Sequence, residues 1–339
     1  MWHLHNRTPY AADRTWVQDP DGTKRWVVVV KATFDIHPTG RLTLADHQLP
    51  PLLAPEYHGI DGVSSLRYEA DLGPPKPGTD VVLNGHAHAP SGRPTTHIAV
   101  ALGVGSHRKI LTVTGDRTWK RSLLGTIVPS VPAPFLRLPL VYERAYGGHD
   151  TRSPDPATQQ MFACNPVGTG YVVHRSTLLG QAVPNIEHPG APLGDQGAAG
   201  FGAICSHWSP RRELAGTYDA RWVANRRPLL PEDFDPRFHM HAPQGQQHIP
   251  HLRGGTPIEL VNLTPGGVLR FTLPKIYLAF RTRFVLRRGE HRHEHRAKLH
   301  TIVLEPDHLR VLMVWHTSVP CHCHADDLDD TTISEKPYL

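Results

Sequence analysis

The chain has 339 residues, and its 33 prolines and 29 glycines follow no period, which excludes collagen-like repeats and argues against long helices. The formal charge of +5 arises from 36 lysines and arginines against 31 acidic residues, an excess too small to indicate nucleic-acid binding by itself. Four cysteines do not make a disulfide framework, and no apolar run has the character of a secretory signal or reaches the ~20 residues of a membrane helix. We therefore expect a soluble, cytoplasmic protein with neither a membrane nor a nucleic-acid partner.

Short β-strands are predicted in two groups, because runs of β-branched and alternating apolar residues are bounded by turn residues. The first group covers 25–36, 79–89, 96–105 and 108–119, and we expect it to form one antiparallel sheet. In its first strand, Val30, Ala32 and Phe34 are expected to face the core, with Lys31 and its alternate neighbours exposed. The second group covers 257–263, 268–273, 275–288, 298–306 and 309–319.

Between the two groups, residues 129–257 are interrupted by proline or glycine every few positions but are rich in aromatic residues. Such a composition predicts ordered irregular structure, since a disordered linker has few large apolar groups. One short helix is predicted over 209–225, where Pro210 suits a first helical position and Gly216 weakens the pattern.

These elements predict a mainly β fold: an antiparallel, two-sheet, sandwich-like scaffold with a long loop-rich middle region and few short helices. One domain is expected over 1–320, with the irregular insert at about 129–257. The acidic tail, 321–339, has no apolar period and is expected to be flexible.

Two histidine-rich stretches raise the question of a metal. His86 and His88 lie one residue apart on one strand face, where both side chains can reach one zinc ion, but no third ligand is identified by its spacing. Cys321 and Cys323 alternate with histidines near the end of the chain without the paired C-x₂₋₄-C spacing of structural zinc sites. We expect no bound metal and no cofactor, and we interpret His86 and His88 as the end of a strand that holds the following loop.

A basic surface is predicted on the strand over 275–288, where Arg281, Arg283 and Arg287 share one face. Together with Trp119 they form a predicted protein-binding set, because arginine and tryptophan are prominent in protein interfaces. The following stretch, 287–298, alternates arginine and histidine but has no interleaved aromatics, so it is interpreted as a solvated loop and not as a nucleic-acid site.

Several loop motifs combine arginine, aromatic residues and glycine. Their charged and aromatic members are interpreted as internal clamps, because buried loop carbonyls need hydrogen-bond donors. These members are Asp116, Arg117, Arg144, Tyr146, His149, Trp208, Arg211, Tyr218 and Trp222. No spacing among these residues makes a complete set of catalytic residues, and no catalytic residue is assigned.

The series "GDRTW", "PLVYERAYGGHD", "NPVGTGYV", "HWSPRRELAGTYDARW", "RPLLPEDFDPRFHMHAPQGQQ" and "LRGGTPIELVNLTPGG" resembles a bacterial family named only as a domain of unknown function. The resemblance covers roughly residues 20 to 275. The genes of that family lie in type VI secretion clusters beside genes for spike proteins and toxic effectors. The resemblance implies an effector adaptor, or loading chaperone, that places a toxin on the VgrG/PAAR spike.

The first hypothesis is therefore a non-enzymatic adaptor whose partners are an effector toxin and the VgrG/PAAR spike proteins. A zinc-dependent hydrolase using His86 and His88 is the alternative. An immunity protein or a carbohydrate-binding module on the same scaffold is a third hypothesis.

Overall fold

Strands make up most of the regular structure in the computed structural model, which describes residues 2–152, 155–191, 194, 196–286, 289–321 and 327–337. The first strands along the chain are β1 (His3–Asn6), β2 (Ala11–Gln18), β3 (Lys24–Ile36), β4 (Leu42–Leu44), β5 (Glu56–Tyr57), β6 (Leu66–Tyr68), β7 (Thr79–Leu83), β8 (His86–His88), β9 (His97–Val104), β10 (His107–Thr114), β11 (Trp119–Arg121), β12 (Ile127–Pro129), β13 (Arg137–Pro139), β14 (Tyr146–Gly147) and β15 (His149–Asp150). They are followed by β16 (Gln160–Met161), β17 (Thr169–Gly170), β18 (Ile186–Glu187), β19 (Gln247–His248), β20 (Pro257–Val261), β21 (Val268–Thr272), β22 (Leu278–Leu286), β23 (Gly289–Arg296), β24 (Lys298–Glu305), β25 (Arg310–Pro320) and β26 (Leu328–Glu335). The fold is mainly β, as the sequence pattern predicts.

The described helices are short. The α-helix α1 covers Ala220–Asn225, and the Asp219 side chain caps it by accepting a hydrogen bond from the Trp222 amide. Turns of 3₁₀-helix cover Pro90–Gly92, Tyr142–Arg144, Pro156–Thr158, Arg175–Leu178, Arg211–Ala215, Pro236–His239 and Pro306–His308. The predicted helix over 209–225 is thus two separate pieces, because Gly216 adopts a φ of 81° between them. Among the described residues, no helix has the length and apolar character that crossing a membrane requires.

The largest sheet has seven strands in the order β19-β7-β24-β25-β3-β2, with β4 also paired to β3. Its pairs are antiparallel except for β7 and β24. The central strand β3 is buried on both faces: Val28 and Val30 belong to the main core, while Val27 and Val29 form a second cluster with Val314. Burial on both faces explains the unbroken valine run at 27–30.

Lys31 is buried, which corrects the expectation that it faces water. Its Nζ lies 2.7 Å from Oδ2 of Asp71, and the same oxygen accepts a hydrogen bond from the Leu52 amide at 2.8 Å. A buried ammonium requires such a partner, because an unpaired charge in the interior is costly. The second face of β3 is therefore covered by the segment that carries Asp71.

A five-stranded antiparallel sheet has the order β18-β10-β9-β20-β21. Its β9–β10 hairpin turns at Gly105, whose φ of 58° favours glycine. The expectation of one sheet for the first four predicted strands is wrong: β3 and β7 belong to the seven-stranded sheet, whereas β9 and β10 belong here.

A four-stranded sheet has the order β1-β26-β22-β23. It corrects two expectations, because the stretch after residue 288 forms the edge strand β23, and much of the acidic tail forms β26 between β1 and β22. Leu328 and Ile333 of β26 are buried, and Thr331 accepts a hydrogen bond from the Trp26 indole at 3.0 Å. The histidines and Cys323 at 322–324 lie outside the described residues.

One hydrophobic core joins the three larger sheets, since it includes Val28 of β3, Leu102 of β9 and Phe284 of β22. The region at 129–257 contributes Phe201 and Trp208 to the same core, although most of that region is loop. The irregular middle region predicted from the sequence is therefore ordered and packed against the sheets.

Candidate functional site

The motif residues near β10 have internal partners. Nη1 of Arg144 lies 2.8 Å from Oδ1 of Asp116 and 3.1 Å from Oδ1 of Asn185. Arg117 donates to the Pro184 carbonyl at 2.6 Å, and its Nη2 also lies 3.2 Å from Oε2 of Glu187. Both arginines thus tie the segment after β10 to the segment around β18.

The Tyr-Gly-Gly-His motif is locked to a second loop. The Asn165 amide nitrogen donates to the carbonyls of Tyr142 and Tyr146 at 2.8 and 3.0 Å. A Cβ on Gly147 would lie 2.2 Å from the Asn165 carbonyl oxygen, so only glycine allows this approach. The Tyr146 ring packs inside the loops, whereas His149 is exposed on β15.

Arg211 and Trp208 anchor the loops after residue 200. Trp208 is buried with its ring edge-on to Tyr142, and Arg211 donates to the Ile204 carbonyl at 2.6 Å and to Glu69 at 2.8 Å. The Arg211 Nε also donates to the Phe238 carbonyl at 3.0 Å. Through these contacts Arg211 is paired with groups of the protein itself.

Tyr218 and Trp222 lie nearer the surface. Their ring centroids are 4.7 Å apart, and the Trp222 indole donates to the Leu229 carbonyl at 2.8 Å. Tyr218 is exposed on its other side. This pair closes the loop that contains α1.

His86 and His88 meet a carboxylate that sequence spacing does not indicate. Nδ1 of His86 lies 2.7 Å from one oxygen of Asp307, and Nε2 of His88 lies 3.0 Å from the other. Arg137 adds a third contact at 3.1 Å. Burial acts to raise the pKa of Asp307, but hydrogen bonds from both histidines outweigh it, so the pKa is well below its usual range.

This arrangement is an ion-pair cluster at the junction of β8, β13 and the turn before β25. Within the described ranges, no group of three or more His, Cys, Asp or Glu side chains has a geometry that could hold a metal ion. The histidines are engaged by Asp307, which joins the end of β8 to a turn more than 200 positions later in the chain.

Trp119 is not a surface residue, which corrects its assignment to the predicted protein-binding set. Its side chain is 4% exposed and packs with Leu178 and Val183 in a small separate core. Backbone hydrogen bonds reinforce the position, from the Trp119 amide to the Gln181 carbonyl at 2.9 Å and from the Gly180 amide to the Trp119 carbonyl at 2.8 Å. Trp119 therefore anchors the hairpin that it begins.

That hairpin, formed by β11 and β12, ends in a turn that presents Leu123 and Leu124. Both side chains are almost fully exposed, although large apolar residues are ordinarily buried. We call this element, residues 119–129, the leucine hairpin. The signal in the sequence is the pair of leucines between Ser122 and Gly125, which sequence reasoning did not single out.

The turn of the leucine hairpin is closed by hydrogen bonds. The Ser122 amide donates to the Thr126 carbonyl at 2.8 Å, and the two hydroxyl oxygens lie 2.6 Å apart. The Gly125 amide donates to the Ser122 carbonyl at 3.0 Å, and Gly125 adopts a φ of 81°. The leucines are thus held on a defined support.

The predicted arginine face of β22 divides into two parts. Arg283 is bound by carboxylates: its Nε lies 2.7 Å from Asp330, its Nη1 lies 3.1 Å from Glu290, and its Nη2 contacts Asp329. The acidic tail strand thus neutralises this end of the sheet. Arg287 lies outside the described residues.

The other end of the same sheet face forms a cavity of about 340 Å³. Its cationic lining residues come from two strands, β22 and β23, and from the segments that follow β1 and β26. They are Arg7, Arg281, Arg296 and Lys336, and we call this cavity the basic pocket. Glu294 is the one carboxylate among the described lining residues, and it lies 3.3 Å from Arg281.

Sequence reasoning identified Arg281 but missed the other three cations of the basic pocket, because they lie far apart in the chain. Comparison with known proteins gives one family match, which covers residues 21–316. No curated protein and no solved structure matches the chain. Since the matched range includes most of the chain, this protein belongs to the DUF2169 family, described as an uncharacterized protein conserved in bacteria.

Proposed function

We propose that this protein is a non-enzymatic, cytoplasmic adaptor that binds a toxic effector and loads it onto the VgrG/PAAR spike of a type VI secretion system. The secretion context comes from the motif series, from "GDRTW" to "LRGGTPIELVNLTPGG", through its resemblance to a family encoded beside effectors and spikes. The adaptor acts by contact and needs no cofactor.

The leucine hairpin is the observation that carries the proposal. Exposed leucines lose water-contacting apolar area when a partner covers them, and the core of a protein interface is apolar. Because Trp119 and the turn hydrogen bonds already fix the hairpin, little conformational freedom is lost on docking. An adaptor benefits from such a pre-ordered contact.

The clamps of the middle region support the same role. Arg144, Arg211 and Asn165 use their donors on the protein's own carboxylates and carbonyls, which makes the loops a fixed platform. Loops held on a rigid scaffold are common binding surfaces.

The experiment is co-purification of the untagged protein with the effector and spike proteins encoded beside it. We expect a complex with at least one of them at micromolar concentration. Replacing both leucines, Leu123→Asp and Leu124→Asp, should weaken it by about tenfold or more, since apolar anchors dominate interface energetics.

The matched control is Ile60→Asp with Val63→Asp, which places the same two charges on another exposed apolar turn. The control should change the affinity by no more than about twofold, in keeping with peripheral surface changes. Absence of any complex with either neighbour at micromolar concentration would refute the adaptor proposal.

A further inference from the structure

The basic pocket has a charge surplus that its own surroundings do not cancel. Four cationic side chains line it, whereas the described lining includes one carboxylate, Glu294. Both members of the Arg281–Glu294 pair are largely exposed, so their mutual attraction is screened by water. Arg7, Arg296 and Lys336 make no ion pair within the described ranges of the chain.

The surplus is local to the pocket. At the opposite end of the same sheet face, Arg283 is bound by three carboxylates, and Arg292 lies 3.0 Å from Glu290. The basic character of β22 is therefore neutralised at one end only. A charge left uncancelled beside a cavity attracts an anionic ligand.

The backbone is fixed at two of the cationic residues, and the side chain of a third packs on an aromatic ring. The Arg7 amide donates to the Ile333 carbonyl at 3.0 Å, and the Lys336 amide donates to the Tyr277 carbonyl at 3.0 Å. The Arg296 guanidinium lies over the Tyr277 ring at 5.0 Å from its centroid, which leaves the edge of the guanidinium free to donate. Guanidinium groups with free edges bind carboxylates with two parallel hydrogen bonds.

We infer that the basic pocket binds a short acidic segment of the partner protein, through carboxylates of aspartate or glutamate. This inference rests on the proposed adaptor function and names the chemistry of the contact. The cavity is near the lower limit of ligand sites, about 300 Å³, which suits a few side chains. Arg296 covers one face of the Tyr277 ring, and the His295 ring stacks on Phe280 at 5.5 Å between centroids, so these rings are already engaged and stacking of a nucleic-acid base is disfavoured.

The test is fluorescence anisotropy of a labelled hexaglutamate peptide, with a glycine-serine peptide of equal length as the uncharged control. We expect hexaglutamate to bind at least tenfold more tightly, with an affinity that falls as salt rises. Equal binding of the two peptides would overturn the inference. Tighter binding of inorganic phosphate than of hexaglutamate would do so as well.

The pocket variant combines Arg7→Ala, Arg296→Ala and Lys336→Ala. Its matched control combines Arg175→Ala, Arg212→Ala and Arg253→Ala, three exposed arginines elsewhere in the chain, so both variants lose the same net charge. We expect the pocket variant to bind hexaglutamate at least tenfold more weakly, and the control to stay within about twofold of the original protein, because charge contacts act at short range in salt. Equal loss in both variants would overturn the inference.

Failure of the inference and failure of the proposed function are distinguishable. If hexaglutamate binds the pocket but no neighbouring protein co-purifies, the adaptor proposal fails and the pocket assignment stands. If a neighbour binds the original protein and the pocket variant equally well, the adaptor proposal stands and the inference fails.

Discussion

The sheet framework, meaning the three larger sheets, and the middle region, residues 129–257, are stabilised in different ways. In the framework, Val28, Leu102 and Phe284 are buried in a continuous apolar core. In the middle region, buried Asn165 and Arg211 donate hydrogen bonds to carbonyls that no strand satisfies. The framework therefore depends on apolar volume, whereas the middle region depends on particular donors at particular positions.

The largest expected effect is in the middle region. Arg211→Ala removes the partner of Glu69 and leaves the Ile204 and Phe238 carbonyls unpaired. Breaking such a buried ion pair is expected to lower the free energy of unfolding by about 3–5 kcal/mol, measured by urea denaturation. The neighbouring Arg212 is exposed, so Arg212→Ala should change the free energy of unfolding by no more than about 0.5 kcal/mol. Similar losses in both variants would contradict the comparison.

Acid should weaken both regions through neutral buried histidines. Burial and the nearby Lys76 ammonium lower the pKa of His241, in the middle region, to about 4, and burial lowers that of His316, in β25, to about 3. In the unfolded chain both titrate near 6.5. Between pH 6.5 and about 4 the unfolded state therefore binds protons that the folded state does not, and the free energy of unfolding falls as pH falls.

The expected loss is about 2 kcal/mol per histidine between pH 7 and pH 5, measured by chemical denaturation at each pH. His241→Gln and His316→Gln should each remove one histidine's share of this dependence. Comparison of the two variants separates the acid sensitivity of the middle region from that of the framework. Equal stability of the original protein at pH 7 and pH 5 would refute the prediction.

Two substitutions of moderate effect, one in the middle region and one in the framework, test whether the two regions are stabilised differently. Asn165→Ala leaves the Tyr146 carbonyl without its side-chain donor. It also removes one of two donors to the Tyr142 carbonyl, which still accepts the Ala145 amide at 3.1 Å, and the change should cost about 2 kcal/mol. Leu102→Met conserves the apolar volume of the framework, and should cost about 1 kcal/mol. Thermal unfolding of both variants measures the difference. A larger loss for Leu102→Met would reverse the conclusion.

The smallest effect on stability is expected at the leucine hairpin. Leu123→Ser with Leu124→Ser removes two side chains that are almost fully exposed, and so should alter the free energy of unfolding by no more than about 0.5 kcal/mol. Trp119→Ala is the contrasting variant, because it empties the core that anchors the hairpin and should cost about 3 kcal/mol. Denaturation curves for the two variants should therefore separate clearly.

Much of the framework is predictable from local pattern. The run at 27–30, the β9–β10 hairpin and the strands after residue 257 all show the alternation or continuity typical of strands. The tail strand β26 was missed because its aspartates and threonines lack an apolar period. Its burial depends on Leu328, Ile333 and the Thr331 hydroxyl meeting β22 and Trp26, which are remote in sequence.

The surfaces were only partly predictable for the same reason. The arginine face of β22 follows from alternation within one strand, but its neutralisation at Arg283 depends on β26. Asp307 reaches His86 across 221 positions of sequence, a contact that no local spacing indicates. Trp119 was assigned to the surface from residue type alone, and its burial depends on the segment around Leu178.

The position of β26 between β1 and β22 has a consequence for the order of folding during translation. Strand β1 precedes every other described strand along the chain, yet its partner in the sheet follows all of them. In this sheet β1 can therefore pair only after β26 has been synthesised, and until then β23 is the one described strand partner that β22 has. Once β26 has been synthesised, it can pair with both β1 and β22 and so complete this sheet. Arg283 gains its Asp329 and Asp330 partners in the same step.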